Sequence, residues 1–183
     1  MNVCVFTGSS IGTHPNYRQA AQSLGYYLAE HDHDLVYGGA SVGLMGAVAD
    51  AILEAGGKAY GVLPTALQRR EIIHEDLTEL MIVPDMHTRK AKMAELSDIF
   101  IVMPGGIGTM EEMFEIWTWS QLGIHRKPIG LLNIDNYYQQ LLTFMDHTVK
   151  QGFLKPQHRQ LMACENTPKS LFTKLAEIAS PKD

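Results

Sequence analysis

Residues 98–112 have the sequence DIFIVMPGGIGTMEE, and this stretch decides the fold. Residues 99–103 are continuously apolar, which is typical of a strand whose sheet has helices on both faces. A glycine-rich turn at residues 104–109 follows and leads into a predicted helix at 110–121. Such a turn lets the backbone approach a ligand closely, and its N–H groups, together with the positive end of the helix dipole, attract a phosphate.

Apolar runs alternate with helical segments along the rest of the chain. We predict strands at 3–6, 35–37, 59–63, 80–83, 99–103 and 129–132, with helical segments completing the chain. This order predicts a single α/β domain over residues 1–183, a doubly wound, Rossmann-like, mostly parallel sheet with helices on both faces. Ligands bind beyond the carboxyl ends of such strands, so the loops at 7–13, 38–46 and 104–109 are the candidate ligand loops.

The composition of the chain argues against several classes of protein. The chain has 183 residues and a net charge of −5, which argues against nucleic acid as a partner because phosphate backbones need clustered Lys and Arg. Residues 35–49 are uncharged, but glycines interrupt them, so we predict a turn and a helix rather than a membrane span. The distant Cys4 and Cys164 predict reduced thiols, and the N-terminus has no pattern of a signal peptide. We therefore expect a cytoplasmic protein.

Several common motifs are absent from the sequence. Neither a Gly-Lys-Ser/Thr phosphate loop nor a well-spaced dinucleotide fingerprint occurs, and no nearby ordering of Ser, His and Asp supports a hydrolase triad. The run His31-Asp32-His33 could bind a metal, but it lies between a helix and a strand, where polar residues are expected. We expect neither a metal nor an organic cofactor.

Glu112 has two interpretations. Thr109 and Glu112 have the spacing of a capping box, in which Thr109 caps the helix and Glu112 lies at its third position. Alternatively, Glu112 takes part in chemistry beside the phosphate, because it shares a helical face with Ile116 and Trp119. Glu111 and Glu115 fall on another face, where we expect solvated charges.

Arg89 lies in an apolar stripe of a second predicted helix. Its neighbours on that stripe are Met86, Met93 and Leu96, so the arginine is expected to be buried and to need an anionic partner. That partner is either an internal carboxylate or a bound phosphate or catalytic carboxylate, unless the side chain reaches past a thin apolar layer to water. Lys90 is expected to be more solvated.

The runs Met86-His-Thr-Arg-Lys90 and Pro104-Gly-Gly-Ile-Gly-Thr-Met-Glu-Glu112 together resemble the Lonely Guy (LOG) family. The resemblance extends over nearly the full length and includes Phe6-Thr-Gly-Ser-Ser10 and Thr118-Trp-Ser-Gln-Leu-Gly-Ile-His125. The family consists of cytokinin riboside 5′-monophosphate phosphoribohydrolases. The resemblance implies hydrolysis of the N-glycosidic bond of an N6-substituted AMP to a free base and ribose 5-phosphate.

The resemblance also implies the site residues. Arg89 and Glu112 match the catalytic pair, and the phosphate loop matches Gly105, Gly106, Gly108 and Thr109. The matching substrate-binding positions are Glu71, Arg89, Lys90, Gly106, Ile107, Gly108, Thr109, Met110, Glu111, Glu112 and Thr118. Ile107 stands where many members have Tyr, which removes a hydroxyl contact.

A homodimer is implied as well, with Thr118 near the site of the neighbouring subunit. The helix at 110–121 carries Phe114, Trp117 and Trp119 around most of its circumference, which is typical of a helix buried on several sides. We predict Trp119 in the core and Trp117 at the interface.

Alternative functions are a non-catalytic nucleotide or cofactor carrier of the same fold, and a pyridoxal phosphate-dependent lysine decarboxylase. The preferred base, and whether Arg89 contacts the phosphate or orients Glu112, are left open.

Overall fold

The structure is a computed structural model that describes residues 1–68 and 72–179. Within these residues seven strands form one sheet, and helices flank it on both faces. The strands are β1 (Asn2–Phe6), β2 (Asp34–Tyr37), β3 (Ala59–Pro64), β4 (Glu79–Val83), β5 (Ile99–Val102), β6 (Ile129–Leu132) and β7 (Met162–Glu165). The helices are α1 (Pro15–Glu30), α2 (Gly43–Glu54), α3 (Met86–Leu96), α4 (Ile107–Gln121), α5 (Gln139–Lys150), α6 (Pro156–Arg159) and α7 (Pro168–Ala179).

The described strands are all parallel, in the order β4-β3-β2-β1-β5-β6-β7. The chain therefore winds outward from β1 in one direction, returns to the centre at β5, and winds outward in the other direction. The predicted doubly wound sheet is confirmed. The reversal lies between β1 and β5, and sheets of this kind bind ligands at such a switch point.

Two apolar layers hold the helices to the sheet. On one face, Leu24 of α1, Val48 of α2 and Leu171 of α7 belong to one buried cluster. On the other face, Met93 of α3 and Met113 of α4 pack in a second cluster. Because both faces are covered, the central strands are buried and apolar without alternation. The described helices include none that is long and apolar enough to cross a bilayer.

Local signals explain where several helices begin. Pro15 occupies the first turn of α1, where its missing N–H costs no hydrogen bond. Asp85 caps α3, and its Oδ1 accepts a hydrogen bond from the Thr88 amide at 2.8 Å. The charged turn that carries Arg89 and Lys90 is therefore fixed at its start.

Three structural expectations from the sequence are wrong. Residues 162–165 form the edge strand β7 and not part of a helix. Helix α4 begins at Ile107 rather than at residue 110, with Gly106 at the N-cap. The two tryptophans exchange their expected places: Trp117 is buried at 4% exposure and donates its indole N–H to the carbonyl of His158, whereas Trp119 is half-buried.

Candidate active site

The loops that follow β1, β2 and β5 meet at the carboxyl edge of the sheet. The amide of Gly8 donates to the carbonyl of Pro104 at 3.1 Å, and the amide of Leu44 donates to the carbonyl of Gly8 at 3.0 Å. The backbones come so close that a Cβ on Gly43 would overlap the main chain of Ser9. Gly43 also has a φ of +64°, a left-handed conformation that glycine adopts readily.

A cavity of about 280 Å³ lies where these loops meet. It is lined by residues 8–10 and 104–106 together with Gly12, Tyr17, Leu44 and Tyr137. It opens beside the first turn of α4, whose leading N–H groups have no acceptor within the helix. A glycine-lined cavity at a helix N-terminus is suited to an anion such as a phosphate.

Helix α4 starts without a side-chain cap. Gly106 is the N-cap residue, Ile107 is 84% exposed, and Thr109 is buried three residues into the helix. The Thr109 side chain packs against Gly105, where any Cβ would overlap its hydroxyl. Thr109 is therefore not the N-cap and Glu112 lies in the second turn, so the capping-box interpretation of Glu112 is wrong.

Arg89 is buried in the first turn of α3, at 6% exposure. Its Nε donates to the carbonyl of Val62 in β3 at 3.0 Å, and its guanidinium lies against Gly38, where a Cβ would overlap Nη2. The structure shows no ion pair between Arg89 and another described residue. A buried cation held by neutral groups favours an anion nearby.

Lys90 is also buried, contrary to the expectation of a solvated side chain. Its Nζ lies 2.6 Å from Oε1 of Glu111 and 3.0 Å from Oε2 of Glu115. Desolvation lowers the pKa of Lys90, but the hydrogen bonds and charges of the two glutamates outweigh it, and the net effect is a raised pKa. Glu111 and Glu115 are therefore ion-pair partners that join α4 to α3 rather than independent solvated charges.

Glu112 and Arg89 belong to helices that pack on the same face of the sheet. Glu112 is half-buried on α4, and the thiol of Cys4 in β1 lies between the sheet and these helices. Burial raises the pKa of Cys4, the negative charge of Glu112 raises it further, and the positive charge of Arg89 lowers it. One buried thiol thus senses both charges, and it belongs to the same apolar cluster as residues of α3 and α4.

Of the remaining predicted site residues, one falls outside the part of the chain that the structure describes and one lies apart from this group. Glu71 falls outside the described residues. The segment that follows it is joined to the β2–α2 loop, because the amides of Ser41 and His74 donate to the carbonyls of Ile72 and Gly39. Thr118 is exposed on α4, nine residues beyond Thr109, or about 13 Å along the helix axis. A single subunit does not bring Thr118 to the glycine loop.

Sequence reasoning missed Tyr17 and Tyr137, which form the wall of the cavity. The Tyr137 hydroxyl donates to the carbonyl of Gly105 at 2.6 Å. Its only sequence signal is a pair of tyrosines after the Asp135-Asn136 turn.

The two histidines of the run at 31–33, considered above as metal ligands, pack against aromatic rings. His31 stacks on Tyr27 with ring centroids 4.0 Å apart, and His33 stacks on Phe172.

The sequence is similar to a known family and to curated proteins along most of its length. Residues 45–175 match the family described as "Possible lysine decarboxylase". The cytokinin riboside 5′-monophosphate phosphoribohydrolase LOG7 of Arabidopsis thaliana is 51% identical over 175 residues, covering 96% of this chain and 81% of its own. The probable phosphoribohydrolase LOGL3 of Oryza sativa subsp. japonica is 51% identical over 180 residues, covering 98% of this chain and 85% of its own.

Solved structures share the fold at lower identity. The molybdenum cofactor binding protein of Rippkaea orientalis superposes with a TM-score of 0.73 at 20% identity, covering 98% of this chain and 97% of its own. The molybdenum cofactor carrier protein of Chlamydomonas reinhardtii gives a TM-score of 0.71 at 21% identity, covering 97% and 96%. These likenesses establish the architecture alone. With a family match over residues 45–175 and relatives about half identical along almost the whole sequence, the chain belongs to the Lonely Guy (LOG) family.

Proposed function

We propose that this protein hydrolyses the N-glycosidic bond of adenosine 5′-monophosphates, N6-substituted ones in particular, to the free base and ribose 5-phosphate. The observation that carries the proposal is the identity of about 50% with cytokinin riboside 5′-monophosphate phosphoribohydrolases over nearly the whole chain. The geometry supports it, because a cavity suited to a phosphate lies beside a helix that carries a half-buried glutamate.

The glycine loop is assigned to the 5′-phosphate. Gly105, Gly106, Gly108 and Thr109 lie at the start of α4, where backbone N–H groups and the helix dipole favour negative charge. Binding the phosphate there fixes the ribose relative to α4. Binding energy from this remote group then serves the reacting centre, so removal of the phosphate should lower turnover as well as affinity.

Glu112 is assigned to the reacting centre. Cleavage of the C1′–N9 bond leaves its electron pair on the base and builds oxocarbenium character on the ribose, which a neighbouring carboxylate stabilises. A water oxygen bonds to C1′, and Glu112 orients that water and accepts its proton. The departing base takes up one proton from solvent, and Glu112 releases the proton of the water to solvent and is ionised again.

Arg89 is assigned to the carboxylate rather than to the phosphate. It does not line the cavity beside the glycine loop, and Val62 and Gly38 confine its guanidinium. Its charge and that of Glu112 reach the same thiol of Cys4. A cation on the face of the sheet that carries α4 favours an ionised carboxylate, the form that stabilises positive charge on the sugar.

Lys90 and the remaining residues of the predicted site are assigned as follows. Lys90 binds Glu111 and Glu115 and holds α4 against α3. Its raised pKa keeps it an ammonium at neutral pH, which disfavours the decarboxylase alternative because a Schiff-base lysine must be a neutral amine. Ile107, Met110 and Glu111, in the first two turns of α4, are kept as candidate substrate contacts, and Glu71 keeps the role implied by the family.

We also propose a homodimer whose site lies near the subunit interface. Leu122 and Ile124 are each 65% exposed, and Trp119 and Ile124 line a second groove of about 550 Å³. A second copy covering this surface could bring Thr118 to the neighbouring site. Light scattering at micromolar concentration tests the proposal, and a monomeric mass would refute it.

We further propose a cytoplasmic location, with which the free thiols of Cys4 and Cys164 are consistent.

The function is tested with isopentenyl-AMP, AMP and isopentenyladenosine, each with and without EDTA, by chromatography of the released base. We expect base from the monophosphates, very little from the riboside, and no effect of EDTA. Glu112→Gln should keep the melting temperature and lose about 10²–10³-fold in rate. Binding of the nucleotide without release of base would favour the carrier alternative, and equal rates for nucleotide and riboside would contradict the phosphate assignment.

A further inference from the structure

Two consecutive tyrosines bind the backbone on either side of Pro104. The hydroxyl of Tyr138 donates to the carbonyl of Met103 at 2.8 Å, and that of Tyr137 donates to the carbonyl of Gly105 at 2.6 Å. The two side chains differ in environment. Tyr138 is 2% exposed and belongs to the apolar core, whereas Tyr137 is 42% exposed and lines the cavity at the glycine loop.

The carbonyl that Tyr137 binds belongs to the peptide between Gly105 and Gly106. Glycine on both sides makes this peptide the easiest in the loop to rotate, because neither neighbour has a Cβ to restrict φ and ψ. The peptide bond is trans, so its C=O and N–H point in opposite directions. Fixing the carbonyl therefore also fixes the direction of the Gly106 N–H at the N-cap of α4.

Tyr137 can act on a phosphate only through this peptide while the hydrogen bond is formed. A phenol has one proton, and that of Tyr137 is donated to Gly105. Its oxygen can still accept a hydrogen bond, but it has no further donor for a phosphate oxygen. The side chain thus holds the loop rather than the ligand.

A left-handed turn precedes Tyr137. Asp135 and Asn136 have φ values of 49° and 58°, in the left-handed region that non-glycine residues seldom occupy. The carboxylate of Asp135 accepts from Nδ2 of Asn16 at 2.9 Å and lies 3.3 Å from Nδ1 of His14. Asp and Asn adopt this conformation more readily than other non-glycine residues, and the contacts of Asp135 fix the turn beside the start of α1.

The ring itself is also held. It meets the ring of Tyr17 edge-on with centroids 5.8 Å apart, and Tyr17 packs against Gly12 in the loop after β1. Tyr137 therefore connects the start of α1 with the glycine loop before α4.

We propose that Tyr137 is a positioning residue that holds the Gly105–Gly106 peptide in the orientation required by the 5′-phosphate. The inference rests on the proposed function, in which this cavity takes that phosphate. Loss of the hydroxyl leaves the peptide free to rotate, so the loop must be ordered when the ligand binds and affinity for the phosphate falls.

Tyr137→Phe and the matched Tyr138→Phe test the proposal. The dissociation constants of ribose 5-phosphate and of free adenine are measured by calorimetry, together with melting temperatures. For Tyr137→Phe we expect binding of ribose 5-phosphate about 5- to 10-fold weaker, the size of one hydrogen bond, with binding of adenine and the melting temperature nearly unchanged. For Tyr138→Phe we expect the opposite, a lower melting temperature and affinity for ribose 5-phosphate within about twofold of wild type.

The outcomes separate this inference from the function on which it rests. If wild type binds ribose 5-phosphate and Tyr137→Phe binds it equally well, the positioning role is wrong and the proposed function stands. If both variants weaken binding equally, the hydroxyls only stabilise the fold and the role is also wrong. If wild type releases no base from the monophosphates, the proposed function fails and this role fails with it.

Discussion

Replacing Lys90 by Met should destabilise the protein far more than the same replacement at Lys92, two residues along α3. Lys90 has a side-chain exposure of 7% and contacts two carboxylates, whereas Lys92 is 34% exposed and pairs with the open Glu95. Methionine keeps the length of the stem and removes the charge. The comparison therefore isolates the buried ammonium.

The magnitude follows from the exposure of the two partners. Glu111 is 51% exposed and can turn to water, so losing its partner costs little. Glu115 is 22% exposed, and its Oε2 is inaccessible to solvent. Removing one partner of a fully buried pair costs about 3–5 kcal/mol, and the partial exposure here reduces our expectation to about 2–3 kcal/mol. For a chain of this length that is a fall of roughly 5–10 °C in melting temperature.

Thermal melts followed by circular dichroism measure the stability of both variants. The free energy of unfolding of Lys92→Met is expected within about 0.5 kcal/mol of the wild-type value. The pH dependence adds a second check. The raised pKa of Lys90 means that its contribution is fully present below the ordinary value of 10.5 and is lost as the pH rises through the higher folded-state pKa. Equal small shifts for both variants would show that the cluster contributes no more than a surface pair.

Three further changes follow from the structure. Arg89→Ala should lower kcat/KM by at least about 10²-fold, and a large loss of melting temperature with unchanged activity would show a purely structural arginine. Gly43→Ala should abolish stable folding because its Cβ would overlap Ser9, whereas Gly56→Ala, with open space around it and a φ of +81°, should cost only about 1–2 kcal/mol in urea titrations. The pKa of Asp85 is lowered by its hydrogen bond to the Thr88 amide, so the gap in melting temperature between wild type and Asp85→Ala should narrow as the pH falls below 3.8; a constant gap would contradict the capping role.

The layout of the sheet could be predicted from sequence because its central strands carry their own signals. Continuous apolar runs bounded by glycine mark β1 and β5, and these signals do not depend on distant residues. Strand β7 lacks them, since Met-Ala-Cys-Glu has little intrinsic preference for a strand and pairs with β6 through tertiary contacts. Helix α4 begins earlier than predicted because Gly106 and Gly108 favoured a longer turn.

The ion-pair cluster of Lys90, Glu111 and Glu115 could not be predicted from the sequence alone. Lys90 and Glu111 are 21 positions apart, and their contact exists only because α3 and α4 lie side by side on the same face. The exchange of Trp117 and Trp119 has a related cause. A helix with apolar residues on most sides has no single face selected by periodicity, so packing against the sheet decided which ring is buried. Tyr137 depends on a left-handed turn whose function appears only beside the glycine loop.

The central position of β1 also governs when the cavity can exist during folding. Its neighbour β2 is the next strand in the chain, whereas its other neighbour β5 comes only after β3 and β4, and the hydrogen bond between Gly8 and Pro104 closes a very long loop of chain. On a ribosome, β1 through β4 can pair before the glycine loop has been synthesised. Since long-range pairings carry the entropy cost of loop closure, docking of β5 is expected to be a late event. A phosphate ligand would then bind only chains that have completed this step and, by mass action, would draw the remaining chains toward it.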